Sequence, residues 1–238
     1  MTTLELTELF ESQREIKNLM GKYVSSQLLN WEGKIYDMFW SKRDDVCLGF
    51  NNGYYKGAEA VKGYFEAYAA ATMAKSKILQ KIFPGELGKL TDEELYGVGP
   101  FKARPLTSPF IEVAGDGQTA KGIWMSAGYN IDIEPAGPVG HWNWGTFAAD
   151  FVCEDGEWKL WHLLYTLDVD NIAGQDWAKA QEPYPELPEF EAVKAIEMPA
   201  PNVPAQVRQI YSPDRPFTPL PEVPKPYQTF ADTFSYGI

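Results

Sequence analysis

Two histidines and one tyrosine are the residues of this chain best suited to acid–base chemistry. His141 and His162 are the two histidines of the sequence, and Tyr23 lies on the apolar side of a predicted N-terminal helix. An imidazole titrates near neutral pH, so it can accept or donate a proton during a reaction. A phenol can donate a hydrogen bond to a substrate oxygen on which negative charge develops. We therefore predict Tyr23, His162 and His141 as catalytic candidates.

Each of these side chains also has a purely structural interpretation. A core Tyr23 would bond a backbone carbonyl, a buried neutral His162 would bond the backbone, and a loop His141 would be solvated. Strict alternation along the strand places His162 on the same face as Leu160 and Leu164. Asp168 would then lie about 20 Å further along the strand, too far to orient the imidazole directly.

Other side chains are suited to lining a pocket for an apolar ligand. Arg104 can clamp a carboxylate or phenolate, or it can be an ordinary surface arginine. Asn143 can anchor a polar group of the ligand, and aromatic residues can form the walls, although such residues also build ordinary cores. The predicted wall residues are Tyr54, Tyr55, Trp124 and Trp144. With two histidines, and with Cys47 and Cys153 outside any Cys-x-x-Cys motif, we predict no metal site and no cofactor.

The periodicity of the chain predicts the elements that would position these side chains. Apolar residues at helical spacing predict helices at 4–30, 32–40 and 58–77. Asn52-Gly53 and Asp155-Gly156 are typical of hairpin turns, the second between long aromatic strands at 142–153 and 158–168. We predict an α+β fold in which a curved antiparallel sheet wraps around the N-terminal helices and leaves a cone-shaped cavity.

The proline distribution predicts two regions of different character. Residues 1–170 form the predicted domain, with a lid-like insertion at 78–105. Twelve of the eighteen prolines lie between Pro183 and Pro226, which excludes regular helix or sheet there. Aromatic anchors interleaved with these prolines favour an ordered arm at 171–238, packed on this domain or on a neighbouring subunit. Exposed anchors need a partner surface, so we predict a homo-oligomer, a dimer or trimer.

The charge and hydropathy of the chain exclude several classes of partner. The net charge of −12 and the pI near 4.7 argue against nucleic acid and against an anionic membrane as a partner. The sequence has no apolar run long enough to span a bilayer and no apolar signal core at its start. These features favour a cytoplasmic protein with reduced thiols.

Three segments resemble a known family. They are Ile16 to Tyr23 (IKNLMGKY) with the turn and glycine at 51–57, then 111–124 (IEVAGDGQTAKGIW), then 150–162 (DFVCEDGEWKLWH). Together they resemble SnoaL-like proteins of the nuclear transport factor 2-like superfamily over about residues 10–170. The resemblance implies the cone-shaped α+β fold. It does not single out one activity, because dehydratases, isomerases, cyclases, epoxide hydrolases and binding modules share this scaffold.

The Gly-Lys-Tyr at residues 21–23 is also similar to that of the bile-acid dehydratases. Of the site that this similarity implies, Tyr23 is present, whereas Leu28 replaces an aspartate and residues 103–109 contain no histidine. No acidic residue follows Trp124 directly, so bile-acid dehydration is not predicted.

We predict instead a cofactor-independent lyase or isomerase, dehydratase- or cyclase-like. Its substrate would be a hydrophobic oxygenated small molecule of phenolic, polyketide-like or steroid-like type. The alternative is a non-catalytic module for small-molecule binding or assembly. The enzyme hypothesis requires Tyr23 and His162 to face one cavity, whereas the binding module does not.

Overall fold

The computed structural model describes residues 5–216 and 221–238. The predicted helix start at Leu4 and the arm residues Phe217 and Leu220 lie outside this range. The helices are α1 (Leu6–Leu28), α2 (Glu32–Phe39), α3 (Ala58–Ile82), α4 (Pro84–Leu87) and α5 (Asp92–Leu95). The strands are β1 (Cys47–Phe50), β2 (Gly53–Lys56), β3 (Phe101–Ala103), β4 (Thr107–Val113), β5 (Thr119–Glu134), β6 (Gly137–Glu154), β7 (Glu157–Ile172) and β8 (Val203–Pro204). Two 3₁₀ helices, Pro188–Ala195 and Phe230–Asp232, lie in the arm.

The N-terminal helices form because their apolar residues recur every three or four positions. In α1 this spacing buries Ile16, Met20 and Tyr23 on one face. The third helix runs to Ile82, five residues beyond its predicted end, because no helix breaker occurs before Pro84. The segment predicted as an irregular lid from residue 78 therefore starts at residue 83, and it carries α4, α5 and β3.

The strands form one curved sheet in the order β3-β5-β6-β7-β1-β2-β8, with β4 also paired to β5. All pairings are antiparallel except that of β1 with β7, which is parallel. The sheet bends where β6 and β7 shift register, between Trp144 and Gly145 and between Asp150 and Phe151. The prediction of an α+β fold with a curved sheet around N-terminal helices is confirmed.

The two faces of the sheet have different coverings. The helices cover the inner face, where Phe147 and Tyr165 pack in one core with Tyr23. The outer face presents the alternate residues, such as Ala148 and Leu164, which pack against Tyr236 of the arm. A side chain of β6 or β7 therefore belongs either to the helix side or to the arm side of the molecule.

The described part of the Pro-rich arm packs on its own chain. Phe190 and Val193 pack against Leu79 at the end of α3. The short β8 extends the sheet beside β2. Further on, the carbonyl of Tyr227 accepts a hydrogen bond from the Gly115 amide. These contacts satisfy aromatic anchors within one chain, and the homo-oligomer stays a prediction.

Candidate active site

A small, partly enclosed cavity lies between the helices and the inner face of the sheet. Its volume is about 30 Å³. That is room for about one water molecule, so a larger ligand requires the lining to move apart. The lining combines aromatic rings with polar and charged groups: Tyr23, Gln27, Glu32, Phe50, Tyr64, Phe65, Tyr68, Lys102, Arg104, Phe147 and Tyr165.

Tyr23 reaches the cavity from α1. Its ring packs edge-on against Phe39 and Phe147, and its hydroxyl accepts a hydrogen bond of 3.2 Å from Nε2 of Gln27. Burial raises the pKa of the Tyr23 phenol, and the positive charge of Arg104 opposes this rise only in part. Tyr23 is therefore a neutral phenol near neutral pH, which suits a hydrogen-bond donor and not a base.

Arg104 enters the cavity from the sheet edge, two residues after Lys102. Its guanidinium lies 4.9 Å from the ring centroid of Tyr165. A Cβ on Gly128 would come within 2.7 Å of the Ala103 carbonyl oxygen and 3.3 Å of Arg104 Cγ, so glycine permits this close approach. Burial lowers the pKa of Arg104, but the surrounding phenols outweigh it and raise that pKa, so the group stays cationic.

Three polar atoms of the cavity lining are buried without a hydrogen-bond partner in the described part of the chain. They are Nε of Arg104, the hydroxyl of Tyr165 and Oε1 of Gln27. No described carboxylate forms an ion pair with the Arg104 guanidinium. Buried polar groups are nearly always paired in folded proteins, so this cluster points to a ligand or solvent site.

Glu32 and Lys102 form a second polar group of the lining. Nζ of Lys102 lies 2.7 Å from Oε1 of Glu32, and both side chains are buried. The Tyr96 hydroxyl donates a 3.2 Å hydrogen bond to the other carboxylate oxygen. Burial, followed by the charge of Glu32, raises the pKa of Tyr96. Tyr96 and Lys102, which follow α5, thus fix the position of Glu32, the one carboxylate among the described lining residues.

The structure places His162 on the opposite face of the sheet from Tyr23. Phe151 pairs with Leu160, whereas Asp150 pairs with His162, which leaves Trp161 as an extra residue in β7. This bulge reverses the alternation, so Leu160 does not share a face with His162 as predicted. The imidazole instead meets Asp150 Oδ2 at 2.8 Å and the Asp45 carbonyl at 3.2 Å. Tyr23 and His162 therefore do not share a cavity, so they do not meet the condition for acting together, and the catalytic role of each stays a prediction.

His141 lies within β6 and not in the predicted loop before it. Its Nδ1 is 3.1 Å from Asp170 Oδ1, and its Nε2 is 2.7 Å from Glu134 Oε1. The amide of Asn143 donates to the same Asp170 oxygen at 2.8 Å. Neither His141 nor Asn143 lines the cavity. Among the described residues, no group of three or more His, Cys, Asp or Glu side chains is placed to hold a metal ion.

The other predicted wall residues do not line the cavity either. Tyr54 packs with the outer-face cluster of Leu164, and the Tyr55 hydroxyl donates to the Pro199 carbonyl at 2.6 Å. Trp124 packs edge-on against Phe151 in the core, and Trp144 is 43% exposed. Of the predicted site residues, Tyr23 and Arg104 reach the cavity.

Sequence reasoning missed several lining residues for which local signals exist. Gln27 follows Tyr23 by one helical turn, and Tyr68 follows Tyr64 by the same spacing, so each pair shares a helix face. Lys102 and Arg104 are alternate residues at the sheet edge, which places two cations on one side. Glu32 had no such signal, because its partner Lys102 is 70 positions away.

The buried phenols predict an alkaline transition. Burial raises the pKa values of Tyr23, Tyr64 and Tyr165 above the usual 10.0. The folded state keeps these protons where the unfolded chain loses them, so this stabilisation is complete below about pH 10 and lost at higher pH. We expect phenolate absorbance to rise in two stages, the second together with loss of the circular dichroism signal. In urea one stage is expected, and a single stage in the native protein would contradict the prediction.

A curved sheet wraps around the N-terminal helices, and a small, partly polar cavity lies between them. This architecture is that of the NTF2-like fold. The SnoaL-like domain model matches residues 9–163, so the chain belongs to the SnoaL-like family. The predicted resemblance is confirmed. No curated protein matches the chain significantly in sequence.

Solved structures with the same fold are distant in sequence. A type 2 hexachlorocyclohexane dehydrochlorinase (LinA) is 15% identical, with a TM-score of 0.50 over 74% of this chain and 98% of that one. A scytalone dehydratase-like protein of Novosphingobium aromaticivorans is 13% identical, with a TM-score of 0.46 over 76% and 97%. An NTF2-like protein from the same species is 14% identical, with a TM-score of 0.43 over 81% and 96%. Of these three, only the dehydrochlorinase reaches a TM-score of 0.50, and at 15% identity it supports the fold alone.

In the described part of the chain, no helix has the length and apolarity needed to cross a bilayer.

Proposed function

We propose that the protein is a cofactor-independent lyase or isomerase that acts on a hydrophobic, oxygenated small molecule. The supporting observation is that Tyr23, a neutral buried phenol, and Glu32, a carboxylate, line one cavity. A hydrogen-bond donor and a proton acceptor facing the same space are the two groups that enolisation of a carbonyl compound requires. The rings of Phe50, Phe65 and Phe147 would surround the apolar body of the substrate.

The proposed chemistry begins with proton transfer from carbon. Glu32 takes the proton from the carbon next to a substrate carbonyl, the electron pair of that C–H bond forms a carbon–carbon double bond, and the π pair of the carbonyl moves onto its oxygen. The hydroxyl of Tyr23 donates a hydrogen bond to the resulting oxyanion. In a lyase the oxyanion re-forms the carbonyl, and the electron pair of the carbon–carbon double bond expels a leaving group from the next carbon. The leaving group takes up the proton from Glu32. In an isomerase Glu32 returns the proton to a different carbon. His162 and His141 have no part in this scheme.

Substrate entry requires this small cavity to widen. Two of the groups that hold Glu32, Tyr96 and Lys102, belong to the segment from residue 83 to 105. We propose that this segment acts as the lid of the site, and that parting of these two contacts separates it from α2. The homo-oligomer and the cytoplasmic location remain proposals of the same kind.

A non-catalytic binding module is the second candidate. It is favoured by the Glu32–Lys102 ion pair, because this carboxylate already has a cationic partner at 2.7 Å and can have a purely structural role. The same cavity would then hold its ligand without changing it. Variants of the two proposed catalytic groups separate these candidates.

Turnover should depend on Tyr23 and Glu32. With a substrate found among phenolic, polyketide-like and steroid-like compounds, Tyr23→Phe is expected to lower kcat about 100-fold, the cost of one oxyanion donor. Glu32→Gln is expected to lower kcat about 100-fold or more through loss of the base. The matched control is Tyr54→Phe, which removes a phenol on the outer face and should leave kcat unchanged. Full kcat in Glu32→Gln would rule out the mechanism. Compounds that bind without turnover would establish the binding module.

A further inference from the structure

We infer that the natural ligand of this cavity carries a carboxylate, which pairs with Arg104. This inference rests on the proposed function for the location of the site and names the class of molecule that the site accepts. The supporting observation is a buried guanidinium that faces the cavity and has no counter-charge among the described residues. The cavity residues Lys102 and Glu32 neutralise one another, so Arg104 leaves one positive charge unbalanced.

The other buried cations of the described chain show how unusual this arrangement is. Lys121 lies 2.5 Å from Asp150, and Arg208 lies 2.6 Å from Asp168. Lys102 has Glu32. A buried charge without a partner is strongly unfavourable, and the chain supplies a carboxylate to each of these three cations. At Arg104 it supplies tyrosine hydroxyls instead, although the chain has 33 acidic residues. We assign the missing carboxylate to the ligand.

The geometry around Arg104 suits a carboxylate better than a spherical anion. A guanidinium presents parallel N–H groups that match the two oxygens of a carboxylate. The Tyr165 hydroxyl lies next to the guanidinium and can donate a hydrogen bond to the same carboxylate. Oε1 of Gln27 is a free acceptor in the same lining, so it suits a hydroxyl of the ligand. The site therefore fits a small hydroxy-carboxylic acid with an apolar body.

The burial of Tyr23 and Tyr165 keeps the site selective for an anionic ligand. Burial raises the pKa of both phenols, so neither becomes a phenolate that would neutralise Arg104 near neutral pH. A buried charge is also weakly screened by salt. An anion held only by surface lysines would by contrast lose affinity as the salt concentration rises.

The test compares two probes of equal size, 4-hydroxybenzoate and 4-hydroxybenzamide, by calorimetry at neutral pH. We expect the wild type to bind the acid at least about tenfold more tightly than the amide, and to keep that preference in high salt. Arg104→Met should abolish the preference, and Arg104→Lys should keep part of it. The control is Arg43→Met, which removes an exposed arginine paired with Asp45 and should leave the preference unchanged.

Several outcomes would overturn the inference. They are equal or absent binding of the two probes by the wild type, a preference that survives Arg104→Met, and a preference that high salt removes. Melting curves establish that each variant is folded before it is measured, and Arg104→Lys serves if Arg104→Met does not fold. The proposed function fails separately: if Tyr23→Phe and Glu32→Gln leave turnover intact while the acid preference holds, the carboxylate assignment stands without the proposed mechanism.

Discussion

Asp150→Asn is expected to lower the free energy of unfolding by about 3–5 kcal/mol, the cost of leaving a buried charge without its partner. Asp150 and Lys121 are both fully buried, and their charged atoms lie 2.5 Å apart. The rings of Phe234 and Tyr236 lie 4.5 and 4.8 Å from the Lys121 ammonium. Those ring contacts are worth about 0.5–2 kcal/mol each and do not replace a carboxylate. Equilibrium unfolding in urea measures the loss.

The same substitution should loosen the end of the arm. Oδ2 of Asp150 accepts hydrogen bonds from the Tyr236 amide at 2.8 Å and from the Ser235 hydroxyl at 3.1 Å. These bonds fasten the arm to the outer face of the sheet beside His162. We expect the amides of residues 229–238 to exchange hydrogen faster in Asp150→Asn than in the wild type. Unchanged exchange together with unchanged stability would show that the ion pair does not hold the arm.

Two further variants test whether the loss of stability comes from the buried charge. Lys121→Met combined with Asp150→Asn removes both charges and keeps an amide oxygen as acceptor for the Tyr236 amide, so it should recover most of the stability lost in Asp150→Asn alone. Lys159→Ala breaks an exposed pair with Glu157 and should change stability by less than about 0.5 kcal/mol. If Asp150→Asn lowers the free energy of unfolding no more than Lys159→Ala does, the burial of the ion pair does not determine its contribution to stability.

The penalty in Asp150→Asn should shrink at alkaline pH. Burial lowers the pKa of Lys121, and the charge of Asp150 opposes that shift. Without the carboxylate the folded-state pKa falls further, so the unfolded chain binds the proton more tightly than the folded one. Stability then rises with pH over the range between the two pKa values.

The fold could be predicted from local patterns, whereas the site depended on contacts between distant residues. Helical spacing placed Tyr23 on the inner side of α1, and turn residues marked the β6–β7 hairpin correctly. His162 was misplaced because one extra residue at Trp161 reverses the alternation, and no residue type announces a bulge of this kind. Glu32 and Asp150 were overlooked because their partners are 70 and 29 positions away. Such pairing follows from the folded sheet and not from sequence spacing.

Arg104→Met is expected to stabilise the ligand-free protein by about 1–3 kcal/mol, the cost of a buried polar group that lacks its partners. The variant loses the cation–π contact between Arg104 and Tyr165, which contributes about 0.5–2 kcal/mol. This loss reduces the gain in stability but does not reverse it. Methionine keeps the apolar stem and removes the charge. In a chain of this size each kcal/mol raises the melting temperature by about 2–4 °C, so the gain is measurable in a thermal scan.

The matched control is Arg208→Met, which removes a second buried arginine with the opposite expected sign. Arg208 donates from Nε to Asp168 at 2.7 Å, so methionine there leaves Asp168 without its partner and should cost about 3–5 kcal/mol. Opposite shifts from the same substitution would show that the chain uses Arg208 for stability and keeps Arg104 for a ligand, at the expense of stability. A loss in Arg104→Met as large as that in Arg208→Met would instead give Arg104 a structural role, and its missing counter-charge would no longer point to a ligand.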